Sequence, residues 1–130
     1  MNKRDQSVRA AIYARVSSDK QNPKSPEDQI RECRRFAAGR GWGVRDNLVV
    51  SESGISAGSR HNRPGLVRLL EDEIGGWDVL LCYESSRLAR NGEDMGWIRN
   101  QLALWDRDAY EVVSGLSIQN LGSKVAWKGN

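Results

Sequence analysis

Trp77-Asp78-Val79-Leu80-Leu81-Cys82-Tyr83 is a near-continuous apolar run between the glycine pair Gly75-Gly76 and the polar stretch Glu84 to Asn91. A strand reads this way when both its faces are covered, as in a parallel sheet with helices on each side. Working upstream, Leu66, Leu69, Leu70 and Ile74 share one face of a helix that opens near Pro64, with Asn62 as its cap and Gly75-Gly76 as its stop. Before it comes a strand from Gly43 to Val50, then a Gly/Ser-rich loop from Ser51 to Asn62. Ser25-Pro26-Glu27-Asp28 starts an earlier helix: a serine side chain that caps, a proline suited to the first turn, and two acids at the positive end of the dipole. Ile30, Cys33, Phe36 and Ala37 give that helix its apolar stripe, and Gly39 and Gly41 end it. Val8 to Val16 is a buried strand running into the polar loop Ser17 to Ser25.

Downstream of the central run, Met95, Ile98, Leu102 and Trp105 recur every three or four residues, which predicts a third helix capped by Asn91. Tyr110 to Val113 supplies a fourth strand. Strands alternating with helices predict an α/β domain with an open, mainly parallel sheet of about four strands and helices on both faces. In such sheets, sites form beyond the carboxyl ends of the strands. The loops Ser17–Ser25, Ser51–Asn62 and Glu84–Asn91 all leave those ends, so they are expected to meet along one edge.

The chain has 130 residues, 38% of them hydrophobic and 28% charged, which suits one globular domain with one core. No apolar run reaches the roughly 18 residues of a membrane span, and Met1 to Arg9 is too polar for a secretion signal. A cytoplasmic protein without a membrane partner is expected. Cys33 and Cys82 are far apart, with no CxxC or CxxH neighbour, so they read as buried, reduced thiols rather than as a metal site or disulfide framework. Twenty basic against 17 acidic residues leave a net charge of +3, too small to establish nucleic-acid binding by itself. What matters is whether the arginines converge.

At the predicted edge they are expected to. The first loop brings Arg15, Ser17, Ser18 and Gln21, with Gln29 at the start of its helix. The second brings Glu52, Arg60 and Arg63, and the third Glu84, Ser86, Arg87 and Arg90. Guanidinium groups hold phosphate through paired hydrogen bonds at any physiological pH, and several around one phosphate stabilise the charge that grows during in-line attack. A serine hydroxyl among them can displace a bridging oxygen and keep the bond as a phosphoester, with no cofactor. Singly, each residue has a plainer reading: Ser17 as a turn or cap residue, Arg63 as a solvated first-turn residue, and Arg87 and Arg90 as surface partners of Glu84 or Glu93. No GxxxxGK[ST] loop is present, and His61 is the one histidine.

Tyr13-Ala14-Arg15-Val16-Ser17-Ser18 followed by Gln21 resembles the opening signature of serine site-specific recombinases of the resolvase/invertase family. Pro26-Glu27-Asp28-Gln29, Glu52 to Ala57 with Arg63-Pro64-Gly65-Leu66, and Ser86-Arg87-Leu88-Ala89-Arg90-Asn91 resemble three further motifs of that family in the same order. The resemblance runs from Ala10 to Val113 and is nearest to the large, phage-integrase type. It implies a resolvase-like fold and Ser17 as the nucleophile that joins a DNA 5′ phosphate and releases a 3′ hydroxyl. It also implies Arg15, Arg63, Arg87 and Arg90 as phosphate-binding groups, and Gln21 and Gln29 as positioning groups. Tyr13, Ser18, Glu52, Glu84 and Ser86 are expected to support the site or contact the DNA phosphate. The expected partners are a double-stranded recombination site and further copies of the intact protein, as dimer and tetramer, encoded by a prokaryote, phage or mobile element; no metal or other cofactor is expected.

This chain departs from the family at Ser86, where the motif carries an acid; Glu84 lies two residues earlier, and some phage-type integrases carry serine there. Residues 1–115 are expected to be the catalytic domain and residues 116–130 a truncated or irregular tail, with the family's long helix and DNA-binding domain absent. The alternatives are a catalytically inactive recombinase-like interaction module or remnant, and a small-molecule phosphate-binding domain using the same arginines.

Overall fold

The computed structural model describes residues 8–15, 24–52, 63–89 and 92–119. In chain order the elements are β1 (Arg9–Arg15), α1 (Pro26–Arg40), β2 (Gly43–Glu52), α2 (Pro64–Leu70), β3 (Val79–Cys82), α3 (Gly92–Leu104), β4 (Asp108–Glu111) and β5 (Leu116–Ser117), with one 3-10 turn at Ser85–Arg87. The sheet order is β2-β1-β3-β4-β5. β1 pairs in parallel with β2 and β3, and β3 with β4.

Alternation along β1 and β3 divides the core in two. Ala11, Tyr13, Leu80 and Cys82 face the side covered by α2 and α3, where they meet Leu66, Leu69, Leu70, Ile98 and Leu102. Ala10, Ile12, Val79 and Leu81 face α1, against Cys33 and Ala37. Helices therefore lie on both faces, as the apolar run 77–83 predicts. α1 starts as its sequence implies: the Asp28 backbone N–H donates to Ser25 Oγ at 3.1 Å, and Pro26 occupies the first turn. Gly41, at φ 77°, ends it in the left-handed region. Ser25→Ala leaves that donor unsatisfied and is expected to cost about 1 kcal/mol, measured by urea denaturation.

The sheet has five strands where about four were expected. The fifth is antiparallel and folds back on β4 through Gly115, whose φ of 74° suits glycine. It is held by Ser117 Oγ donating to Asp108 Oδ1 at 2.8 Å and by burial of Ile118. The sheet thus reaches into the stretch 116–130. α2 is shorter than predicted. It ends at Leu70, because Asp72 turns left-handed at φ 66° and the N–H groups of Glu73 and Ile74 both return to the Arg68 carbonyl. Asp72 is fixed there by Arg107 Nη2 at 2.6 Å, while Arg107 Nε donates to the Trp77 carbonyl and the guanidinium stacks 3.9 Å from the Trp77 ring. Ile74 still packs on the core, but from a turn. β4 lies earlier than Tyr110 to Val113, and Trp105, assigned to the apolar stripe of the third helix, falls beyond α3 and is substantially exposed. The caps expected from Asn62 and Asn91 lie outside the described residues.

Both cysteines are buried free thiols. Burial, then the charge of Glu32, pushes the Cys33 thiol up to about 12 from an ordinary value of 9.0, and Cys82 is raised for the same leading cause. The unfolded chain loses these protons near the ordinary value while the fold retains them. The thiol contribution to stability is therefore complete below about pH 9 and falls as the pH rises toward 12. Native protein is expected to resist iodoacetamide at pH 8 and to react at both cysteines in denaturant, as read by mass spectrometry.

Candidate functional site

β1 delivers Arg15 at its carboxyl end, and Gln29 of α1 holds that end in place. The Arg15 N–H donates to Gln29 Oε1 at 3.2 Å, and Gln29 Nε2 returns bonds to the carbonyls of Arg15 and Lys24 at 3.0 and 2.9 Å. Gln29 is fully buried, so its amide replaces the next ladder partner where the strand stops. The Arg15 side chain is 3% exposed and crosses to the turn after β3. There its Nε donates to the Arg87 carbonyl at 3.1 Å and its Nη2 to the Ser86 carbonyl at 2.8 Å.

Arg63 stands at the N-terminus of α2 and is completely buried. Its Nη1 donates to the Leu88 carbonyl and its Nη2 to Asp94 Oδ2 in the first turn of α3. Two guanidinium groups from separate strand-to-helix connections thus reach the main-chain oxygens of three successive residues, Ser86, Arg87 and Leu88. Arg87 is 7% exposed; its Nη2 lies 3.6 Å from Glu84 Oε2, and its Nε is buried with no hydrogen-bond partner among the described residues. Ser86 offers its carbonyl and leaves its side chain exposed.

Glu52 ends β2 by capping α2: its Oε2 accepts the Leu66 N–H at 2.9 Å. The approach is close enough that a Cβ on Gly65 would lie 2.8 Å from Glu52 Oε2 and 2.6 Å from Val50 Cγ1, so only glycine fits there. The Tyr13 hydroxyl is buried and makes no hydrogen bond of normal geometry among the described residues. Burial, followed by the charge of Glu52, raises its phenol well above the ordinary range, so it stays protonated.

The predicted edge therefore brings together Arg15, Gln29, Arg63, Arg87 and Glu84, with Tyr13 two residues earlier on β1 and Glu52 beside Arg15 at the end of β2. Ser17, Ser18, Gln21 and Arg90 lie outside the described residues. Two of the plainer sequence readings are corrected: Arg63 is not solvated, and the Glu84–Arg87 pair is not a surface pair on its arginine side, which is 9% exposed. Two residues were missed. Asp94 reads in sequence as an ordinary acid of a first helical turn, yet it is buried against Arg63. Glu111 accepts the Ser85 N–H at 2.8 Å and anchors the turn from β4. Asp78, at the start of β3, pairs with Arg9 and stands at the opposite end of the strands from this cluster.

An α/β sheet whose carboxyl edge is lined by buried arginines defines the class of protein. The profile of the family described as "Resolvase, N terminal domain" matches residues 10–113, and the chain belongs to that family. It is 33% identical over 98 residues to the transposon Tn2501 resolvase of Escherichia coli, covering 75% of this chain and 46% of the relative, so it spans about half the length of that protein. The fold is similar to that of the N-terminal catalytic domain of TP901-1 integrase, with TM-score 0.67, 18% identity, and 92% and 95% of the two chains covered. It is also similar to the C-terminal catalytic domain of ISC1926 TnpA, an IS607-like serine recombinase, with TM-score 0.63, 25% identity, and 91% and 78% covered. A resolvase family site-specific recombinase from Streptococcus pneumoniae matches with TM-score 0.65 and 19% identity over 94% and 88% of the chains.

Proposed function

We propose that this chain is the catalytic unit of a serine site-specific DNA recombinase, carried by residues 1–115. Ser17 Oγ attacks a DNA phosphodiester, a new Oγ–P bond forms to the 5′ phosphate, and the P–O bond to the 3′ oxygen breaks. The departing oxygen takes up a proton and becomes a free hydroxyl; reversal by a hydroxyl from another end rejoins DNA. The observation that supports this reading is the gathering of Arg15, Arg63 and Arg87 around the turn Ser86–Leu88, on the edge where β1 ends at Arg15, two residues before Ser17 in the sequence. An anion arriving there meets donors already desolvated, including an Arg87 N–H with no acceptor among the described residues. Arg15 and Arg63 rest on carbonyl oxygens, so a phosphate that reaches them shares or replaces those acceptors. Copies of the chain and double-stranded DNA are the partners this chemistry requires, in the cytoplasm. No described helix is long and apolar enough to cross a membrane.

Duplexes of randomised sequence test the reading. Each is nicked on the 5′ side of the possible cleavage position, so that the short fragment bearing the new 3′ hydroxyl diffuses away and the adduct accumulates. Covalent protein–DNA species with the DNA mapped to Ser17 by mass spectrometry are expected. Their absence at high protein and DNA concentrations, from a folded chain, favours the interaction-module reading instead.

A further inference from the structure

We infer that Asp94 is a positioning residue for phosphodiester attack, acting through Arg63; this rests on the recombinase reading. The Arg63 side chain is 0% exposed and that of Asp94 8%, so each charge depends on the other for compensation. Arg63 is held at both ends. Its Cα sits at the N-cap of α2 with no side-chain cap bond of its own, and its guanidinium ends between the Leu88 carbonyl and the Asp94 carboxylate. The carboxylate draws one face of the fork toward α3, leaving the other on the turn Ser86–Leu88 that Arg15 also grips. A carboxylate in the first turn of α3 suits the dipole of that helix, but an exposed acid would serve the dipole equally well. Burial against an arginine that links α2, the 3-10 turn and α3 is what assigns Asp94 to the site.

Asp94→Asn keeps the shape and one acceptor and removes the charge. The probe is the p-nitrophenyl ester of thymidine 5′-monophosphate, which needs no recognition of a DNA site: Ser17 Oγ bonds to phosphorus and p-nitrophenolate leaves. At a temperature where circular dichroism shows each variant fully folded, Asp94→Asn is expected to lower the maximal rate of Ser17 thymidylylation about 100-fold, the scale of a misplaced catalytic group. The half-saturating ester concentration changes far less. Arg63→Met is expected to lose at least as much, and Asp94→Asn placed on Arg63→Met to lose nothing further, because the two act as one unit. Should Asp94→Asn not fold, Asp94→Glu, which keeps the charge but displaces the fork, is expected to show the same dependence on Arg63. A wild-type chain that reacts while the two losses simply multiply overturns the role of Asp94 alone. A folded wild-type chain that never reacts overturns the recombinase reading, and this role with it.

Discussion

Ser17→Ala is expected to abolish covalent capture of DNA, a loss of at least about 10⁴-fold in the cleavage step. The reasoning is chemical. A phosphodiester anion repels nucleophiles, and arginines lower that barrier only for an attacking oxygen held in line with the leaving group. Alanine removes the oxygen and leaves the guanidinium cluster intact, so binding of DNA survives while the adduct does not. Ser17→Cys offers a sharper version: a thiol keeps the geometry with a different atom, and any product it forms is a phosphorothiolate detectable by its mass. Gel-shift and covalent-adduct assays on the same samples separate the two steps. An Ala variant that still forms adducts at wild-type rate places the nucleophile elsewhere.

Arg15→Met carries the next largest effect, on stability and activity together. The guanidinium is buried and satisfies the carbonyls of Arg87 and Ser86. Methionine fills much of the volume but takes this donor from the buried Arg87 carbonyl, at about 1–3 kcal/mol, and from the part-buried Ser86 carbonyl, at less. A loss on the order of 3 kcal/mol in urea denaturation is expected, concentrated in the 3-10 turn. Hydrogen exchange should report earlier opening at Leu88 and Ala89, whose N–H groups bond to the Ser85 carbonyl. Under conditions where the variant is folded, adduct formation is expected to fall about 10²–10³-fold, the range for removal of one preorganised donor. A variant with normal stability would mean that the turn is held by other contacts.

Much of this architecture is legible in the chain itself, because the signals are local. Ser25-Pro26-Glu27-Asp28 declares a helix start in four residues, and the structure shows the serine accepting the expected N–H. The run 77–83 announces a central strand, and Val79–Cys82 is buried throughout. What escaped depends on distant partners. The periodicity of Leu66, Leu70 and Ile74 fits a longer helix, but Arg107, far downstream, pins Asp72 in a turn. β5 is two residues long and exists because Tyr110 and Glu111 offer it an edge. At the site, the arginines could be picked out from motifs, but their resting partners could not. Main-chain carbonyls carry no residue identity, and so the sequence does not show that Arg15 and Arg63 clamp the turn Ser86–Leu88. Asp94 escaped for a related reason: the same acid in the same first turn is commonplace when exposed, and only burial gives it meaning.

The strand order β2-β1-β3 sets the timing of assembly on the ribosome. β1, α1 and β2 emerge first and can close as one unit, yet the inner flank of β1 must then wait for a strand whose Asp78 lies 69 residues beyond Arg9. Until that segment is translated, the nascent chain carries a hydrophobic ribbon with one open hydrogen-bonding side. High contact order of this kind slows folding and invites pairing with neighbouring nascent chains. Chaperone demand during translation, rather than the stability of the finished domain, is therefore expected to govern its yield.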